Sequence, residues 1–266
     1  MFFAQFIQFF INGLMGGAIY ALIAIGIVSI YKATKVVNFA HGYIIMFGAY
    51  FYYTFSVIIP GIEWMPDWLL SWEPMWLVEW SDNLPMLSLL SSVAEWVKNL
   101  PRIMLGIIGA LICNSILGLL IERFLMRPLM GQSAFAMIMV TVGLISVLSG
   151  LANLIWTADA DFVPYIAPNA PIRISIFGAT IFIFGSDLIN VLIALILFAF
   201  VVGSLKYFQS GIAIRATAED QSTAYSMGIS VPKVFAGAWW LASITGAMAG
   251  VILATRNGIS PTLGLF

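Results

Sequence analysis

Apolar positions in this chain run on without interruption, and polar ones gather in short connections between the runs. Neither the alternation of a half-buried strand nor the one-sided stripe of a soluble amphipathic helix is present. Six runs approach the roughly 20 residues that a bilayer crossing requires: Phe10 to Tyr31, Val36 to Ile59, Ile103 to Ile121, Ala134 to Trp156, Leu188 to Leu205 and Val234 to Ala254. Backbone groups in lipid must pair within their own segment, so the runs are expected to be helices. The fold class that follows is an all-α polytopic membrane protein with about six transmembrane helices, forming one transmembrane domain over residues 1–266.

Composition agrees with that pattern. The chain is 62% hydrophobic and 9% charged, with mean hydropathy +1.02, against about 25% charged residues in soluble domains. Net charge is −1, which offers no basic surface to nucleic acid. No lysine or arginine precedes Lys32, so the first run lacks the charged start of a signal peptide and is expected to remain as a span.

The connections fall into two alternating sets. One set carries Lys32, Lys35, Arg123, Arg127, Lys206, Arg215 and Lys233, and the other only Lys98, Arg102, Arg173 and Arg256. The lysine and arginine bias predicts that the first set is cytoplasmic and that both ends of this chain are extracytoplasmic. Nine of the twelve acidic residues fall in the second set, a weaker sign in the same direction.

Small residues recur four apart as Gly13, Gly17 and Ala21 in the first run, and as Ala238, Ala242, Gly246, Gly250 and Ala254 in the last. That spacing places each set on one helix face and predicts close helix packing, with a gating surface as the other reading. Residues 60–101 form an extracytoplasmic insertion with tryptophan at every fourth position, Trp64, Trp68, Trp72, Trp76 and Trp80. Tryptophan favours the headgroup level, so an interfacial anchor is expected, broken by Pro66 and Pro74. Pro171 to Phe184 is rich in β-branched and aromatic residues around Gly178, and predicts a short extracytoplasmic β-hairpin.

Motifs for catalysis are missing. There is one histidine and one cysteine, no phosphate-binding Gly-x-x-x-x-Gly-Lys and no metal-binding cluster, so no enzyme activity, metal or cofactor is expected of this chain alone. The longest cytoplasmic connection, residues 206–233, predicts a helix from about Ala213 to Met227 that is ended by Gly228. Ala216, Asp220, Ala224 and Gly228 would share a small-residue face able to sit in a partner's groove, with Arg215, Glu219 and Asp220 setting its register. A solvated loop helix is the alternative, and the residues do not choose between them. Asn38 and His41, three apart just after Lys35, would share a face if helical. They are candidates for a translocation path, or for structural hydrogen bonding. Asn12, also a path candidate, reads with Asn114 and Asn153 as a buried amide bonding between helices.

Taken together, these segments resemble the membrane permease family of branched-chain amino-acid ATP-binding-cassette importers, with urea and short-chain amide permeases as close relatives. The resemblance rests on Asn12-Gly13 with Tyr20-Ala21-Leu22, on Asn38-Phe39-Ala40-His41-Gly42, on Glu122-Arg123 with Arg127-Pro128-Leu129, and on Gly211-x-Ala213-x-Arg215-Ala216 with Asp220, Ala224 and Gly228-Ile229. It implies a bacterial inner-membrane subunit that works with a second permease, two cytoplasmic ATPases and an extracytoplasmic binding protein. It also favours the segment from Gly211 through Arg215 to Gly228 as the helix that couples to the ATPase. Three departures accompany it: Met130 stands where a second basic residue is usual, the insertion at residues 60–101 is long, and the chain stops at Phe266. The last raises the expectation of C-terminal truncation. A self-sufficient channel or ion-coupled carrier is the reading from another class, and it would call for ionisable residues in mid-span, of which His41 is nearly the only example.

Overall fold

In the computed structural model, which describes residues 2–61, 88–156, 162–176 and 179–264, six helices are long and apolar enough to cross a membrane. Their α-helical parts are α1 (Phe2–Thr34), α2 (His41–Tyr53), α3 (Ser88–Ile121), α4 (Ala134–Trp156), α5 (Gly185–Tyr207) and α8 (Val231–Asn257), and the second span reaches crossing length only by running on from α2 through further helical turns to Gly61. Between α5 and α8 lie two short helices, α6 (Gln209–Glu219) and α7 (Gln221–Ser226). Strands β1 (Pro171–Ile176) and β2 (Ala179–Phe184) pair antiparallel, Pro171 facing Phe184 and Ile176 facing Ala179. The hairpin expected around Gly178 is therefore present. The tryptophan row from Trp64 to Trp80 and Gly178 itself lie outside the described residues.

Helix α8 is the axis. It packs on α1, α2 and α3, and most of its length from Ala238 to Thr255 is buried. The face spaced by four in the sequence is the one that makes the approach. A Cβ added at Gly250 would overlap the carbonyl oxygen of Ile45, and one at Gly48 would lie 2.6 Å from the Cα of Ala247. Backbones at that separation gain dispersion contact that lipid cannot displace, the main source of helix association in a membrane. Nearer the start of α8, a Cβ at Gly118 of α3 would meet the hydroxyl of Ser243, and the Asn114 side chain donates to the Ser243 carbonyl at 2.8 Å.

The first run behaves otherwise. Gly13 and Gly17 are exposed, and a Cβ at either meets nothing within 4 Å. Their expected packing is not made within this chain, because a small-residue face permits close approach without supplying the neighbour. Asn12 and Asn153 are likewise exposed rather than buried. Asn12 accepts from Gln8 at 3.1 Å and Asn153 donates to Ser149 one turn away, so of the three asparagines only Asn114 bonds between helices.

Two spans end in π-helical turns that place residues five apart on one face. After α2, at Thr54–Ile58, the Thr54 hydroxyl accepts from the Trp156 indole at 2.7 Å, and that indole packs among Phe47, Tyr50 and Phe51. After α3, at Glu122–Met126, the turn brings Arg127 round to Glu122. The guanidinium reaches the buried carboxylate through two hydrogen bonds of 3.1 and 2.9 Å. This fork is the physical content of the Glu122-Arg123 and Arg127-Pro128-Leu129 motif.

Candidate functional site

The sequence places Asn38 and His41 at the end of the first helical hairpin, but the structure carries them deep into the bundle. A Cβ at Gly26 of α1 would lie 2.7 Å from Nε2 of His41 and 2.9 Å from the hydroxyl of Thr245. Gly26 is eight residues before the end of α1 at Thr34, or about 12 Å along the axis, and Thr245 is about 21 Å from the start of α8. Lys35 adopts φ 60° and ends α1, and the segment up to Ala40 then turns back among the helices, with Asn38 and Ala40 buried. Helix α2 thus begins inside the bundle at His41, not at Val36 as expected, and Asn38 does not share its face. Non-helical backbone at such depth is tolerated only where protein or a cavity surrounds it. Here the Asn38 carboxamide oxygen accepts from the amide of Ala40 at 3.0 Å and satisfies one exposed donor.

A second non-helical segment arrives from the other side. Beyond α8 the chain reverses at Gly258, φ 75°, and runs inward to the short turn Pro261–Gly264. Its last carbonyl would lie 2.5 Å from a Cβ on Gly42, so only glycine fits there. Two breaks in regular helix therefore meet at the first turn of α2. Around them are buried donors without an acceptor: Asn38 Nδ2 and Trp239 Nε1 meet no hydrogen-bond partner among the described residues, nor does either ring nitrogen of His41. Asn38 and Trp239 line the same small cavity beside Thr34 and Thr141. Asn12 is not part of this group. It sits with Gln8, whose side chain donates to the Phe182 carbonyl at 2.8 Å and accepts from the Phe182 amide at 2.9 Å, closing the edge of β2.

The connection from α5 to α8 folds as an elbow, not as one helix to Met227. Asp220, at φ −150° and ψ 118°, interrupts it. Its carboxylate accepts from the Thr223 amide at 2.7 Å and the Ser222 hydroxyl at 2.6 Å, starting α7 as an N-cap residue does. Those hydrogen bonds hold its carboxyl below the ordinary carboxylate range. The expected face of Ala216, Asp220, Ala224 and Gly228 is accordingly split, and Ala224 is buried. Gly228 does end the segment, at φ 85°, with the Ile229 amide donating to the Ala224 carbonyl at 3.0 Å, the glycine-terminated close of a helix.

Gly211 and Arg215 attach the elbow to the bundle. A Cβ on Gly211 would overlap the Leu205 carbonyl, and the Arg215 guanidinium donates to the Leu205 and Lys206 carbonyls in the last turn of α5. A cation there compensates the negative end of the helix. Ile214 and Thr217 are buried, with Ile214 packed in a cluster with Ala33, Val201, Leu205, Phe235 and Ala238 of α1, α5 and α8. The outer side shows Glu219, Asp220, Tyr225 and Met227, the last two 72% and 80% exposed. Sequence spacing alone did not single out Tyr225 and Met227.

Six apolar spans packed about the continuous helix α8, with an elbow docked across three of them, make a polytopic membrane protein. The family described as branched-chain amino acid transport system, permease component, matches residues 9–265, and the chain belongs to it. The high-affinity branched-chain amino acid transport system permease protein LivH of Salmonella typhimurium is 27% identical over 98% of this chain and 75% of its own length. Its counterpart BraD of Pseudomonas aeruginosa is 26% identical with the same coverage. The probable LivH of Methanocaldococcus jannaschii is 26% identical over 94% of this chain and 68% of its own. No solved structure matches the chain.

Proposed function

We propose that this chain is the membrane-spanning permease subunit of an ATP-binding-cassette importer for branched-chain amino acids. It lies in the inner membrane of a bacterium with the elbow end cytoplasmic. The observation that carries the reading is the elbow. Its inner side is locked to α1, α5 and α8 through Arg215, Gly211 and Ile214, while its outer side presents Tyr225 and Met227 beside the carboxylates of Glu219 and Asp220. A cytoplasmic ATPase that gripped this surface would move three spans as it closed on ATP.

The centre of the chain is filled by close backbone contact between α2 and α8, which favours a pathway bounded by two permease subunits over a pore through one. The first turn of α2, with Asn38 and His41, is the place where opening would present unpaired donors to a polar solute. An extracytoplasmic binding protein would deliver that solute at the opposite end, where β1 and β2 lie. Affinity purification of the tagged chain from membranes, followed by mass spectrometry, tests the assignment. An ATPase and a second permease should copurify, and Tyr225→Asp with Met227→Asp should release the ATPase from a chain that still elutes as a folded monodisperse species. Copurification unaffected by that double change would remove the elbow from the coupling role.

A further inference from the structure

At the elbow end, α5 and α8 diverge to leave an open cleft of about 550 Å³ floored by α6. Its two halves differ in chemistry. The deep half is walled by Phe200, Trp240 and Leu241, and Phe200 and Trp240 are 57% and 44% exposed. The mouth is formed by Gln209 and Ser210 at the start of α6 and by Lys233 in the first turn of α8. No carboxylate lines it, and Lys233 has no ion-pair partner among the described residues. Helix α6 opens toward the mouth with an N-terminus that no side chain caps, so its first amides add positive potential to that of the lysine; α8 adds little there, since Pro232 in its first turn has no N–H and the Lys233 amide donates to the Ser230 carbonyl.

From this charge pattern we infer that the cleft is a binding site for one anionic phospholipid of the surrounding leaflet, its phosphodiester at Lys233 and the N-terminus of α6 and one acyl chain between Phe200 and Trp240. Trp240 lies seven residues beyond Lys233, about 10 Å along α8, which is the offset between a headgroup and the upper part of its chain. A water-soluble partner cannot reach the deep half, because Phe200 and Trp240 stand on uncharged stretches of spans at hydrocarbon depth. The inference requires only that these helix ends share one membrane surface, and holds whether or not the importer reading does.

Native mass spectrometry of the detergent-purified chain, delipidated and titrated with phosphatidylglycerol or phosphatidylcholine of matched chains, tests it without ATPase or substrate. One lysine near the surface corresponds to a preference for phosphatidylglycerol on the order of fivefold. Lys233→Gln should abolish the preference while lipid is still retained. Gly237→Leu should weaken retention of both lipids, because Gly237 lines the cleft and a Cβ there meets nothing within 4 Å, so the new side chain has room to enter the cleft and narrow the space left for an acyl chain. Equal retention of the two lipids by the unsubstituted chain, or unchanged retention by Gly237→Leu, would overturn the proposal.

Discussion

At the scale of single residues, the most consequential pairing is the fork between Arg127 and Glu122. Glu122 is 1% exposed and its partner reaches in from the surface. Removing one partner of a buried pair leaves the other uncompensated, at a cost of about 3 to 5 kcal/mol, whereas removing both is often close to neutral. Arg127→Met should therefore lower stability by about that amount, and Glu122→Gln added to Arg127→Met should restore most of it. Denaturant unfolding in detergent, followed by tryptophan fluorescence, reads both. If the double variant were as unstable as the single one, the arginine would matter for its packing and not for its charge. Both residues were legible in the sequence as a motif, but the reason for their spacing was not: five apart is not one face of an α-helix, and only the π-helical turn makes it so. Glycines divide in a similar way. Gly246 and Gly250 could be read from their spacing, while Gly26, Gly42 and Gly118 could not, since their neighbours come from other parts of the chain and a periodicity within one helix cannot report them.

At the scale of elements, all six spans were legible, and Ala134–Trp156 has the boundaries expected, because uninterrupted apolarity is a strong signal and the flanking polar residues are abrupt. The hairpin was legible too, from β-branched residues on either side of a glycine. Two helix boundaries fell elsewhere than expected, and both are breaks made by a side chain competing for backbone amides: Asn38 before α2 and Asp220 between α6 and α7. Neither asparagine nor aspartate forbids helix, so propensity alone does not mark the break. The Asp220 cap carries a prediction. Asp220→Ala should raise hydrogen exchange in α7, most at the Thr223 amide, and leave α6 unchanged, because α6 is held separately through Arg215 and Gly211. The pH dependence has a defined sign. The folded-state pKa of Asp220 is depressed, so its contribution is complete above the ordinary carboxylate pKa, roughly pH 4, and is lost as pH falls through the lower folded value. Protection of α7 should accordingly be flat through neutral pH and fall only in stronger acid, and a transition near neutrality would assign the effect to another group.

At the scale of the whole molecule, the proposed function turns on whether the elbow and the spans move as one body. The buried cluster of Ile214 with Ala33, Val201, Leu205, Phe235 and Ala238 is where that question can be put, since it joins the elbow to α1, α5 and α8 and is separate from the larger core between α2, α3 and α8. Ile214→Ala removes the one cluster side chain that α6 contributes, at a cost of about 2 to 5 kcal/mol to local packing, and leaves Tyr225 and Met227 untouched on the outer surface. If the elbow transmits force, ATPase should still copurify and hydrolyse ATP, while uptake of a branched-chain amino acid into proteoliposomes falls on the order of tenfold or more, since a coupling of 1.4 kcal/mol is already a factor of ten. Loss of uptake and of ATPase binding together would mean that the elbow had unfolded, which the hydrogen exchange of α6 would register directly. Unchanged uptake with the cluster disrupted would instead mean that the spans respond to the ATPase through another contact, and the elbow would then serve only to hold the two subunits together.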